Sequence, residues 1–125
     1  WRGTVNLIAK KTLQAMNREF GTIPSDVKAA LGPCISKCCF RVNKDVYSEF
    51  TSVFDSNAGI YEPSDDGGWI IDIKKSNTLI LIQSGVKSEN ISTSQDCTCC
   101  SNEYFSYRRE GPTGRMAGWI RINTL

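Results

Sequence analysis

The chain has 125 residues, 40% hydrophobic and 22% charged, with 15 basic side chains against 13 acidic ones. That length fits one globular domain, and the ordinary apolar fraction excludes a disordered or low-complexity chain. Nearly balanced charge argues against a broad nucleic-acid-binding surface, and the longest aliphatic run, residues 79–82, is too short to span a bilayer. Neither nucleic acid nor membrane is an expected partner.

Taken in chain order, Val5, Ile8, Ala9, Leu13, Met16 and Phe20 recur at three- and four-residue steps, which predicts one amphipathic helix over 5–20. Thr4 is its expected N-cap and Gly21 its closing residue. A turn over 22–26 precedes a short strand at 27–31, stopped by Gly32-Pro33. Asn43 is expected to cap a second helix, with Val46, Tyr47, Phe50, Val53 and Phe54 on its buried face. Residues 55–68 read as a polar loop, 69–73 as a buried strand, and 74–84 as a third helix closed by Gly85 with Val86 behind it. Weaker patterns predict strands at 89–94 and 116–122. The class is α+β, or mixed α/β: a small sheet packed with about three helices.

Histidine is absent, which removes Ser-His-Asp and Cys-His catalysis and any imidazole-bound zinc from this chain. Six cysteines fall in two clusters, Cys34/Cys38/Cys39 and Cys97/Cys99/Cys100. They admit a disulfide framework, a four-thiolate metal site with two ligands from each cluster, or free thiols in a reducing cytoplasm. Adjacent residues such as Cys38 and Cys39 are awkward partners for one ion, and Cys97-Thr98-Cys99 is one residue short of a redox Cys-x-x-Cys.

Three places suit an anion. Arg2 and Gly3 lie directly before the first helix, where unpaired N–H groups and the helix dipole favour negative charge. Gly32-Pro33 follows a strand, where glycine admits close backbone approach. Arg108 and Arg109 follow Tyr104, Phe105 and Tyr107, a set suited to stacking on a base and gripping a phosphate. Each also has a plain structural reading as a cap, a turn or a surface ion pair.

Four ordered blocks carry a resemblance. They are Trp1-Arg2-Gly3-Thr4, Leu31-Gly32-Pro33-Cys34-Ile35 leading into Phe40-Arg41-Val42, Cys97-Thr98, and Phe105-Ser106-Tyr107-Arg108-Arg109 with Thr113-Gly114-Arg115-Met116-Ala117. Together they resemble the multicopper polyphenol oxidase family, the laccase-domain or YfiH-like proteins. The free-thiol reading implies a cytoplasmic location, and the resemblance implies a cysteine-hydrolase-like fold and zinc-dependent phosphorolysis of adenosine or inosine, with adenosine deamination beside it. The family's zinc pocket, two histidines and a cysteine, lies before the position of Trp1. Residues 1–125 are therefore expected to be the C-terminal part of one such domain, with a missing N-terminal half as partner and no activity alone. This chain is expected to hold no metal ligand and no assigned catalytic residue. It would contribute Arg2 and Gly3, the Gly32-Pro33 turn, and Arg108 and Arg109 at a strand end as contacts to nucleoside and phosphate. Arg41 stands where the family usually has glutamate, and Cys34-Ile35-Ser36-Lys37 lacks an expected second glycine. The alternative is a stand-alone, non-catalytic binding or structural module, with or without a cysteine-bound zinc.

Overall fold

A computed structural model describes residues 1–122. Its elements, in order, are α1 (Arg2–Val5), α2 (Ile8–Phe20), β1 (Ala29–Leu31), β2 (Arg41–Val42), α3 (Lys44–Thr51), β3 (Tyr61–Pro63), β4 (Trp69–Ile71), α4 (Ile73–Gln83), β5 (Ile91–Thr93) and α5 (Tyr107–Glu110). The strands form two small sheets: β1 and β5 pair in parallel, and β2-β4-β3 pair antiparallel.

The single helix expected over 5–20 is broken at Asn6 and Leu7. Leu7 has a φ of 54°, a left-handed conformation that costs a leucine roughly 1–2 kcal/mol. Its side chain packs against the larger core cluster, which offsets part of that cost. The break also corrects the assignment of Thr4 as a cap. Thr4 sits inside α1, buried, and its Oγ1 accepts a hydrogen bond from Asn77 Nδ2 at 2.9 Å. Ile8 and Phe20, expected on the buried face, are 56% and 83% exposed.

The other helix ends follow local chemistry. Gly21, at φ 65°, closes α2 by donating to the Asn17 carbonyl at 2.8 Å. Asn43 Oδ1 accepts from Val46 N at 3.2 Å, and Asp72 Oδ1 from Lys75 N at 2.9 Å. Beyond α4, Val86 N donates to Leu81 O at 3.1 Å and Gly85 N to Ile82 O at 3.0 Å, the paired bonds of a Schellman motif. Val86 then packs with Leu13 and Leu81.

That packing makes α4 the hinge of two cores. Its Ile73 and Ile80 meet Phe40, Phe50, Phe54, Ile60 and Ile71, whereas Leu81 meets Leu13 and Val86. Each large apolar side chain buried in this way contributes roughly 1.5–3 kcal/mol. Among the described residues, no helix is long and apolar enough to cross a membrane.

Three more expectations are corrected. Residues 55–68 are not wholly loop: they hold a 3-10 turn at Ser56–Ala58, the buried Ile60 and strand β3. Arg108 and Arg109 lie in a one-turn helix capped by the Ser106 side chain, not at a strand end. No strand forms over 116–122, where Trp119 is 83% and Ile122 94% exposed. A strand needs an edge to pair with, and the tail instead borders a cavity of about 510 Å³ beside β1, with Gly118, Trp119 and Ile120 in its wall.

Candidate functional site

The densest chemistry lies where two tight turns meet. In the first, Cys39 N and Phe40 N both donate to Ser36 O, at 2.9 and 3.0 Å, which folds Cys38 and Cys39 onto one side. In the second, Cys100 N and Ser101 N donate to Cys97 O at 3.2 and 3.0 Å. A single parallel bridge between Cys34 and Cys97, with Thr98 N donating to Cys34 O at 3.1 Å, sets the turns against each other. The Sγ atoms of Cys38, Cys39, Cys97 and Cys100 consequently all lie within 4.8 Å of one another. Cys38 Sγ is 3.7 Å from Cys39 Sγ and 3.6 Å from Cys100 Sγ, and Cys39 and Cys100 are 3.3 Å apart.

All six cysteines are free, so no disulfide framework is present. The clustered thiols do not titrate alike. Partial burial pushes Cys97 up, but the amides of Ser36, Cys100 and Cys99 and the Cys100 thiol hold its charged form, bringing it down to about 6. Cys39 is pushed well above the usual thiol range, chiefly by its hydrogen bond with Cys100. Cys38 is raised by burial and then by Cys100 and Cys97. The four sulfurs are thus a set of soft donors close enough together to hold a metal ion. The expectation of no metal ligand in this chain overlooks it.

The two arginines expected to bind an anion are occupied locally. Arg108 Nη1 donates to the carbonyls of Cys39 and Arg41, both at 3.0 Å, and its guanidinium lies 5.8 Å from the Phe40 ring centre. Arg109 Nη1 donates to Thr98 O at 2.8 Å, Cys99 O at 3.3 Å and Ser101 O, and Nη2 donates to Tyr104 O at 2.7 Å. Each arginine therefore holds one cysteine turn. The aromatic partners are also engaged: Tyr104 O–H donates to Asp96 Oδ2 at 2.8 Å, and Phe105 lies over Gly114, where a Cβ would come within 2.8 Å of the ring.

Gly32 belongs to a second feature, a cavity of about 270 Å³ lined by Leu31, Gly32, Cys34, Ile73, Lys74 and Asn77. Pro33 follows directly, half-buried. Asn77 Nδ2, besides meeting Thr4, donates to Ile73 O at 2.8 Å, which ties α1 to the cavity wall. Arg2 and Gly3 are exposed on α1, with the Arg2 guanidinium 4.8 Å from the Trp1 ring centre. Among the described residues, no hydrogen bond or ion pair joins Arg2 or Gly3 to Arg108 or Arg109. Lys74, in the cavity wall, is committed: its Nζ donates to the carbonyls of Ser94 and Asp96 at 2.8 and 2.7 Å.

The cysteine centre has a sequence signal that the triplet Cys97-Thr98-Cys99 hides. Cys97 and Cys100 themselves stand at Cys-x-x-Cys spacing, the commonest pairing for one half of a thiolate site. Asn77 carried no such signal, because its role depends on where α1 docks.

A family model described as multi-copper polyphenol oxidoreductase laccase matches residues 1–123. The purine nucleoside phosphorylase YlmD of Geobacillus stearothermophilus is 32% identical over 123 residues, covering 96% of this chain and 45% of that protein. The adenosine deaminase RL5, from an unknown prokaryotic organism, is 36% identical over 113 residues, 89% of this chain and 43% of its own length. The hypothetical protein YfiH of Bacillus licheniformis superposes with a TM-score of 0.83 at 28% identity, over 89% of this chain and 43% of that one. The chain spans about half the length of the curated relatives it matches.

Proposed function

This chain belongs to the multi-copper polyphenol oxidoreductase laccase family, and from that premise we propose that it forms one half of a purine nucleoside phosphorylase, with adenosine deamination as a companion activity. One observation carries the reading: almost the whole chain aligns with a protein named purine nucleoside phosphorylase, and most of it with one named adenosine deaminase.

Phosphorolysis requires phosphate to be held against the anomeric carbon while charge leaves with the purine. Guanidinium and backbone N–H groups suit the first task. In this reading Arg2 and Gly3 on α1 and the Gly32-Pro33 turn form one wall, with Asn77 keeping the two registered. Arg108 and Arg109 act from further back, by holding the turns that follow Gly32-Pro33 and β5.

The zinc implied by the family resemblance, bound to two histidines and a cysteine, does not fit these residues. The chain has no imidazole, and its clustered sulfurs make a closed four-donor set. The histidines would come from a segment equivalent to the rest of the longer relatives. The exposed Trp119 and Ile120, and the edge of β1 that pairs with no strand among the described residues, are the surface such a segment would cover. The six free thiols suit a reducing compartment such as the cytoplasm.

The test is phosphate-dependent release of hypoxanthine from inosine, by the purified chain alone and after mixing with the complementary half of the Geobacillus stearothermophilus relative. No turnover is expected alone. Turnover is expected in the mixture, lower by about tenfold or more in Arg2→Ala. Clear turnover by the chain alone, or none in a mixture that forms a complex, overturns the reading.

A further inference from the structure

We propose that Cys38, Cys39, Cys97 and Cys100 bind one zinc ion as a closed, structural four-thiolate centre that fastens the turn before β2 to the turn after β5.

The spacing of the sulfurs is the first argument. A tetrahedral ion with metal–sulfur bonds of about 2.3 Å has sulfur–sulfur edges of about 3.8 Å. The three edges among Cys38, Cys39 and Cys100 are 3.7, 3.6 and 3.3 Å, and Cys97 Sγ lies within 4.8 Å of each of them. A disulfide would bring one pair to about 2.05 Å and leave the others apart. Hydrophobic burial does not explain the convergence, because Cys38 and Cys100 are exposed. The objection that adjacent cysteines cannot share an ion is met by the Ser36 turn, which directs both sulfurs to the same side.

The surroundings supply the second argument. Four thiolates around a divalent ion leave a doubly negative centre, which needs positive charge and N–H donors nearby. Arg108 and Arg109 grip the carbonyls of the two cysteine turns, and Ser36 N donates to Cys97 Sγ at 3.3 Å. Sulfur donors in a tetrahedral set select zinc over harder ions. With all four positions taken by protein, no site remains for water or substrate, so the ion holds structure and does not activate a reactant. Binding is redox-neutral: four zinc–sulfur bonds form, and each thiol still protonated releases its proton to solvent.

The proposal is independent of catalysis. The full chain, reduced and stripped of metal, is titrated with zinc and separately with cobalt, then alkylated with iodoacetamide and mapped by mass spectrometry. One ion per chain is expected. Cobalt should give sulfur-to-metal charge transfer and tetrahedral ligand-field bands, and zinc should protect Cys38, Cys39, Cys97 and Cys100 while Cys34 and Cys99 react. Cys34→Ser/Cys99→Ser should bind as the parent does, and Cys38→Ser/Cys100→Ser should lose at least a hundredfold in affinity. No uptake by fully reduced chain, protection of a different set, or an iron–sulfur chromophore in the purified protein overturns it. The protection map on the parent chain decides the matter even if the double variant fails to fold. Zinc uptake by the chain, with no phosphorolysis in a mixture that forms a complex with the complementary half, retains this proposal and removes the catalytic one; phosphorolysis in that mixture with no zinc uptake does the opposite.

Discussion

Arg108 and Arg109 are neighbours in the chain, yet their guanidinium groups hold different turns. Arg108 donates to the carbonyls of Cys39 and Arg41, and Arg109 to those of Thr98, Cys99, Ser101 and Tyr104. One short helix thereby braces two segments about sixty residues apart, and only a planar fork with five N–H donors can serve so many acceptors at once.

Arg109 is the more buried of the two, and its loss strands four carbonyls. Arg109→Ala is expected to destabilise the fold by about 2–3 kcal/mol, and Arg109→Lys to recover only a small part of it. The exposed Arg18, paired with its neighbour Glu19, is the control: Arg18→Ala should stay within about 0.5 kcal/mol. Urea midpoints of the three variants check this.

Gly21 and Gly32 separate two uses of glycine. Neither has an atom within 4 Å of where a Cβ would sit, but Gly21 has a φ of 65° and Gly32 lies outside the left-handed region. Gly21→Ala should therefore cost about 1–2 kcal/mol, whereas Gly32→Ala should be neutral or stabilise by up to about 1 kcal/mol. If a ligand approaches the backbone at Gly32, that variant will retain stability and lose nucleoside binding. Thermal melts beside a binding titration distinguish the two effects.

Glu110 predicts an acid-sensitive contribution. Its carboxylate accepts from Thr113 Oγ1 at 2.6 Å and from the Arg109 guanidinium, and these hold its pKa below the ordinary 4.5. A depressed folded value means the stabilisation is complete above the unfolded value and is lost as pH falls through the folded one. Melting temperature should fall below pH 4.5 more steeply in the parent than in Glu110→Gln. Parallel curves for the two proteins would remove Glu110 from the account.

The tail offers an optical test of the half-site reading. Trp119 is 83% exposed, whereas Trp1 and Trp69 are half-buried, and Trp69 stacks on Tyr47 with ring centres 3.6 Å apart. Acrylamide should quench Trp119 strongly in the isolated chain. Adding the complementary half of a relative should shift emission to the blue and protect it. Trp119→Phe should abolish that shift, and a shift that survives the substitution would place the contact elsewhere.

Where an element's cause is local, the sequence shows it. The helices at 8–20, 44–51 and 73–83 follow from apolar spacing, and Gly21, Asn43 and Gly85 mark their ends through hydrogen bonds to residues within one turn. Strands of two or three residues are far less legible, since β2 and β3 exist only because β4 lies between them. The same contrast divides the site. The glycine, arginine and cysteine blocks can be read in order along the chain, and they identify the family.

By itself, then, the sequence determined the bodies of three helices, their ends at Gly21, Asn43 and Gly85, the absence of imidazole and the family blocks, because each depends on residue type and on neighbours a few positions away. Only the tertiary structure decided that Leu7 breaks the first helix, that Thr4 meets Asn77, that Arg108 and Arg109 hold turns, and that four sulfurs converge. These depend on which distant segments pack together. Spacing along the chain does not encode such closures; the shared burial of α4 between two cores and the pairing of β1 with β5 do.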